Sequence, residues 1–187
     1  MANPSAASTG QKAVCVVIMG VSGCGKSTVG SALAKTVGAT FIDADDLHPS
    51  RNVEKMRAGK PLTDDDRWPW LDLVGGAFAG AQRPITVIAC SALRRAYRER
   101  ITSAAGTAVL FLHLRGTKDV ISARLAARVH DYMPTSLLES QFATLESPRE
   151  GELAESVDIN VPLDDIVATC AARVRQHTHT NGQQSRL

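Results

Sequence analysis

Residues Gly20-Val21-Ser22-Gly23-Cys24-Gly25-Lys26-Ser27 constrain this chain more than any other stretch. They follow an apolar run, Ala13 to Met19, and precede a segment, Thr28 to Val37, that reads as a helix. Strand, glycine-rich turn and helix in that order read as a phosphate-binding loop. The glycines let the backbone turn so that successive N–H groups aim at phosphate oxygens. The helix that starts there adds the positive end of its dipole. Lys26 is then expected to meet the terminal phosphates, and the Ser27 hydroxyl to hold Mg²⁺.

Strand-like and helix-like segments alternate through the rest of the chain. The expected strands are Val14 to Met19, Thr40 to Asp43, Ile85 to Cys90, Val109 to Leu114 and Val157 to Asn160. The expected helices are Lys26 to Val37, Ser50 to Ala58, Asp66 to Ala81, Lys118 to Arg128, Ser136 to Thr144 and Leu163 to Arg175. Pro69 belongs near a helix start, which places the third helix start around Asp66. Such alternation predicts an α/β three-layer sandwich, a five-stranded parallel sheet with helices on both faces. The strands lack polar alternation, as expected when both faces are covered.

A chain of 187 residues suits one domain. It is expected to span 13–175, between polar, disordered tails at 1–12 and 176–187. The polar stretch Val129 to Pro148 reads as a mobile lid over a substrate. A net charge of +2 with scattered Lys and Arg gives no case for nucleic acid as partner. No apolar stretch nears the length of a membrane span, so no membrane partner is expected. The first dozen residues lack an apolar signal core. Cys15, Cys24, Cys90 and Cys170 show no metal-ligand spacing and read as free thiols, which fits a cytoplasmic location.

A phosphoryl-transfer site needs an acid near Mg²⁺. The third strand ends in Cys90-Ser91 and the fourth also ends without an acid. The second ends in Asp43-Ala44-Asp45-Asp46. Strand C-termini in such sheets face the ligand crevice. Asp43 and Asp45, two apart, can both point there, one toward a metal and one to take a hydroxyl proton. The alternative is that these acids cap the next helix, the preferred reading for Asp46. Arg51 and Lys55, four apart, share a helix face that is either a substrate contact or a solvated surface. Asp64-Asp65-Asp66 sit at a helix start, where the dipole favours acids in any case. Arg94, Arg95 and Arg98 follow the third strand, where anions are met.

Together these segments resemble the gluconokinases, P-loop small-molecule kinases related to shikimate and nucleoside monophosphate kinases. The resemblance rests on the loop above and on Asp43-Ala44-Asp45-Asp46-Leu47-His48-Pro49, Asn52-Val53-Glu54-Lys55-Met56 and Thr63-Asp64-Asp65-Asp66-Arg67-Trp68-Pro69-Trp70-Leu71. It rests equally on Cys90-Ser91-Ala92-Leu93-Arg94-Arg95-Ala96-Tyr97-Arg98 and Ser140-Gln141-Phe142-Ala143-Thr144-Leu145-Glu146. It covers about Val14 to Val174.

The resemblance implies phosphorylation of D-gluconate by ATP with Mg²⁺, in a homodimer. It implies ATP contacts from Gly20, Ser22, Gly23, Cys24, Gly25, Lys26, Ser27 and Thr28, with Arg124 beside the adenine and Arg128 on the phosphates. Ser27 and Asp43 would serve the metal. Lys26, Asp45 and Arg128 would be catalytic. Asp45, His48, Arg51, Lys55, Asp66, Arg94, Arg98 and Gln141 would meet the substrate. The family lid tends to read Arg-x-Gly-His-Phe-Met-Pro, whereas this chain has Arg128-Val129-His130-Asp131-Tyr132-Met133-Pro134. Two other readings share the loop: a shikimate kinase-like enzyme, and a nucleotide-binding regulatory module with no small substrate.

Overall fold

The computed structural model describes residues 13–81, 83–126 and 135–184. The N-terminal tail, 1–12, lies outside the described residues, as do His130 and Asp131.

Strand β1 (Val14–Met19) is buried along its whole length. It lies at the centre of a five-stranded sheet with β2 (Thr40–Asp43), β3 (Ile85–Ala89), β4 (Val109–Arg115) and β5 (Ala154–Asp158). The order is β2-β3-β1-β4-β5. Every pairing is parallel, and Val17 of β1 sits level with Ile88 on one side and Phe111 on the other.

Successive side chains of a strand point to opposite faces, and β1 uses both. Val14, Val16 and Ile18 pack with Val29 and Leu33 of α1 (Lys26–Val37) and with Ile166, Cys170 and Val174 of α7 (Leu163–Gln184). Ile121 of α5 (Lys118–Ala126) and Leu138 of α6 (Thr135–Thr144) join that face. Cys15, Val17 and Met19 pack with Leu71 and Val74 of α3 (Asp64–Gly76) and with Tyr97 and Ile101 of α4 (Arg95–Ala105). The short α2 (Ser50–Arg57) follows a 3₁₀ turn, Ala44–Leu47, beyond β2. The expected three-layer sandwich is what forms.

The differences from the sequence reading have local causes. Helix α4 was not foreseen, because a buried arginine, Arg98, sits in its apolar face. Helix α3 begins at Asp64, two residues earlier than expected, because Thr63 and Asp66 form a reciprocal capping box there. Pro69 therefore lies in the second turn. The carbonyl it cannot serve belongs to Asp65, an exposed residue that water can satisfy. Strand β5 lies earlier than the expected Val157 to Asn160; it is a polar edge strand whose Glu155 pairs with Arg173 of α7 at 2.8 Å. Helix α7 continues past Arg175 to Gln184.

Helices α3 and α4 approach most closely at Gly75. A Cβ there would lie 2.5 Å from the Ala104 Cβ and 2.6 Å from the Ile101 carbonyl. Gly75→Ala should therefore lower stability by about 1–3 kcal/mol through overpacking. Gly76→Ala, whose Cβ would meet nothing within 4 Å, should leave it unchanged or raise it by up to about 1 kcal/mol. Urea unfolding of the two variants checks the contrast.

Candidate active site

The loop between β1 and α1 takes the shape its sequence predicts. Gly23 has φ 83°, in the left-handed region. A side chain there would start 2.5 Å from the Leu125 Cγ of α5, so both backbone and packing require glycine. Gly25 is the N-cap of α1 and brings no side chain to the first N–H groups of the helix. Those groups are suited to an anion. Lys26 Nζ donates to the Val21 carbonyl at 3.2 Å, which folds the ammonium back over its own loop. Cys24 is buried, and burial raises its thiol pKa. It therefore contributes backbone, not thiolate chemistry. His113 of β4, packed behind Gly20, is pushed down to about 4 by burial and stays uncharged behind an anion site.

The end of β2 meets the start of α1. Ser27 Oγ donates to Asp43 Oδ2 at 2.6 Å, and the Asp45 backbone N–H donates to Asp43 Oδ1 at 3.1 Å. A hydroxyl beside a carboxylate is a hard, oxygen-only pair that suits Mg²⁺, which otherwise relies on phosphates and water. Among the described residues no three His, Cys, Asp or Glu converge as a metal site. Asp45 is an exposed residue. Desolvation of its carboxylate, with the like charge of Asp43 second, raises its pKa, and the charge of Lys26 opposes the shift.

Beyond Asp45, α2 and the start of α3 build a polar wall. The His48 ring stacks on Trp70 at 4.1 Å and 13°, and Trp70 Nε1 donates to the Ala44 carbonyl at 2.7 Å. Lys55 donates to Asp66, and Arg51 lies 3.6 Å from it. The Lys55 hydrogen bond is the main cause holding Asp66 well below the usual carboxylate range. Asp64 gathers a second set: Arg94 at 2.6 Å, Arg67 at 3.4 Å and the Tyr97 hydroxyl at 2.5 Å. Four cations thus lean on two aspartates. Asp64, Arg67, Tyr97 and Trp70 were not chosen from the sequence. The spacing of Asp64 and Arg67 by three on one helix was the available signal.

Three sequence-chosen residues stand elsewhere. Arg98 is 2% exposed and bidentate on Glu152, at 2.6 and 3.0 Å, and its Nη1 donates to the carbonyls of Ala92, Leu93 and Glu146. Buried and paired in this way, it leaves the substrate set as a structural ion pair. Gln141 does not join the α2–α3 wall. Its Oε1 accepts the Ser22 N–H at 2.6 Å and its Nε2 donates to Ser22 Oγ at 3.0 Å, so it lies on the phosphate loop. Arg124 donates to the Ile159 carbonyl and, with Gly23, Gly25, Thr28, Val29, Leu163 and Ile166, lines a cavity of about 270 Å³ beside the loop. Arg128 lies outside the described residues. Of the expected lid, residues 129–134 lie outside them too. The remainder is α6 and a stretch held to α4, where the Arg95 N–H donates to Glu146 at 2.7 Å.

A family model describing an AAA domain matches residues 15–150. The thermoresistant gluconokinase of Escherichia coli (strain K12) is 44% identical over 82% of this chain and 89% of its own. The chain belongs to the gluconokinase family. A gluconokinase of Gluconobacter oxydans (strain 621H) is 44% identical over 73% of this chain and 78% of its own. The crystal structure of a gluconokinase from Sinorhizobium meliloti 1021 superposes with a TM-score of 0.83 at 41% identity, covering 94% of this chain and 99% of that one. As a member of this family the chain is an ATP-dependent kinase built on the P-loop fold.

In this gluconokinase-family chain, Arg98 and Glu152 tie the segment after α6 to the start of α4. Arg98→Met should cost about 3–5 kcal/mol, the usual effect of leaving one partner of a buried pair alone. The Arg98 hydrogen bond is the first cause lowering the Glu152 pKa. A lowered folded pKa gives stability that is present above the unfolded value, near 4.5, and is lost as pH falls through the folded one. Glu152→Gln should therefore flatten the loss of stability below pH 4.5. Urea midpoints measured from neutral pH down into that range check it.

Proposed function

We propose that this protein is a gluconokinase that transfers the γ-phosphoryl group of ATP to the terminal hydroxyl of D-gluconate, giving 6-phospho-D-gluconate and ADP. One arrangement carries the reading. The loop residues Lys26 and Ser27 face the paired acids Asp43 and Asp45, and a cation-rich polar wall stands beyond them. Phosphate, attacking hydroxyl and substrate carboxylate each have a place along that line.

In this reading the adenine takes the cavity lined by Thr28 and Arg124, and the phosphates take the loop. Ser27 and Asp43 would hold Mg²⁺, whose chemistry is to neutralise charge on the phosphates. Lys26 stabilises charge on the group in transfer, and Arg128 is proposed to assist it. Asp45 orients the substrate hydroxyl and accepts its proton as the new O–P bond forms and the bond to ADP breaks. Its raised pKa suits that duty, since a general base works best when its pKa approaches the working pH. Arg51, Lys55, Arg67 and Arg94 supply the cation for the carboxylate, and His48 and Asp66 meet hydroxyls along the chain.

A site built around hydroxyl contacts rejects analogues that lack them, because its own polar groups are left unpaired. Glucose lacks the carboxylate and shikimate is a ring. We also propose a homodimer, on the family resemblance. A cytoplasmic location is supported by four free, buried cysteines, and no described helix is long and apolar enough to cross a membrane.

ADP release measured across D-gluconate, shikimate, glucose and nucleoside monophosphates tests the reading, with gluconate expected to lead by a wide margin. A faster reaction with shikimate would move the enzyme to that specificity. No substrate-dependent ADP release at all would favour a regulatory module. Lys26→Ala should fold and lose about 10²–10³ in turnover or more. Asp45→Asn should lower turnover with ATP affinity little changed, whereas Asp43→Asn should raise the Mg²⁺ concentration required. Identical Mg²⁺ titrations for the two variants would contradict that division of labour.

A further inference from the structure

Asn52, in the second half-turn of α2, is completely buried. Its Nδ2 donates to the Asp66 carbonyl at 2.8 Å and lies 3.4 Å from His48 Nδ1. Its Oδ1 is buried without a hydrogen-bond partner among the described residues. A leucine would fill much the same space without an unsatisfied carbonyl. What the amide offers here is its two N–H donors.

The orientation of the amide is fixed by chemistry. Exchanging its oxygen and nitrogen would place Oδ1 against the Asp66 carbonyl oxygen at 2.8 Å, two acceptors in contact in a buried site. With Nδ2 in place, its second hydrogen is available to His48 Nδ1, 3.4 Å away. An amide nitrogen is not an acceptor, so a hydrogen bond between the two requires Nδ1 to be the acceptor and carry no proton. The imidazole proton is then on Nε2. Trp70 holds the plane of the same ring by stacking, and is itself held by the Ala44 carbonyl. Two different neighbours thus bear on the plane and on the tautomer.

We propose that Asn52 is a positioning residue that fixes the tautomer of His48, with the proton on Nε2, so that the ring presents one N–H donor to a hydroxyl of the substrate. The inference rests on the gluconokinase reading for the identity of that hydroxyl, but not for the tautomer. The tautomer matters because the ring is uncharged at neutral pH: burial lowers its pKa, and Arg67 adds to this against the opposing charge of Asp45. An uncharged ring with its proton on the wrong nitrogen would bring a lone pair where the substrate needs a donor, or none at all. Asn52 itself touches no substrate in this scheme. It acts through His48.

Long-range ¹H–¹⁵N correlation spectra of the free, histidine-labelled protein test this directly. The result expected is an unprotonated Nδ1 and a protonated Nε2 at His48 near neutral pH. A proton on Nδ1, or a mixture of tautomers, overturns the proposal without any variant. Asn52→Leu should then show mixed tautomers and raise the gluconate KM by about tenfold, the effect of one lost hydrogen bond, with the ATP KM within about twofold. Equal rises in both KM values, or none, would reduce Asn52 to packing and overturn it. Should Asn52→Leu not fold, the wild-type spectrum still decides. Failure of the gluconate reading shows separately, as no ADP release from wild-type protein with gluconate, and leaves the tautomer result standing.

Discussion

Strand β1 is covered on both faces, and that burial dictates where a ligand can be met. Along the strand its residues pair with β3 on one side and β4 on the other. Beyond Gly20, whose N–H still donates to the Ser91 carbonyl at 3.2 Å, N–H groups can turn toward something outside the protein. The glycine-rich loop occupies that place, and α1 begins there with a cap that has no side chain. The sheet order then decides what stands opposite. Strand β2 ends two strands away from β1, and its last residue, Asp43, still reaches the first turn of α1 through Ser27. The carboxylate beside Ser27 thus arrives from β2, not from β3, whose end is the apolar Ala89-Cys90.

The rest of the crevice is organised by charge. Asp45 is desolvated beside a like charge, whereas Asp66 is held in its ionised form by Lys55 and Thr63. Two carboxylates on neighbouring elements are pushed in opposite directions, a pattern that separates a proton acceptor from a fixed anion. The Ser22–Gln141 pair places α6 directly against the phosphate loop. Helix α5 does the same through Leu125 at Gly23. The loop is therefore braced from the side that carries Arg124.

The parts of this arrangement that were legible in the sequence are those set by neighbours in the chain. The phosphate loop follows from backbone angles and a short run of residue types. Asp43 and Asp45 follow from a strand end. The parts that were not legible depend on distant partners. Gln141 meets Ser22 across 119 positions, and Arg94 meets Asp64 across 30. Arg98 read as an anion contact because arginine at a strand end usually is one. Only the fold brings Glu152, 54 positions on, to its guanidinium. The same burial interrupted the apolar spacing of α4 and hid the helix. Asn52 carried no chemical signal at all until His48 and Asp66 were seen on either side of it.

The pairing of four cations with two aspartates bears on the entropy of binding. A free lysine or arginine side chain samples many rotamers, a freedom of about 2 kcal/mol. In this protein Lys55 and Arg94 already have partners before any substrate arrives. In the proposed reading, an incoming carboxylate would join or displace an aspartate oxygen at a guanidinium or ammonium whose direction is set. Most of the ordering has been done by folding, so less of the contact energy is consumed at the moment of binding. On that reading the two aspartates would be a template of the anion, built from the protein's own side chains and kept in place until a ligand takes over the role.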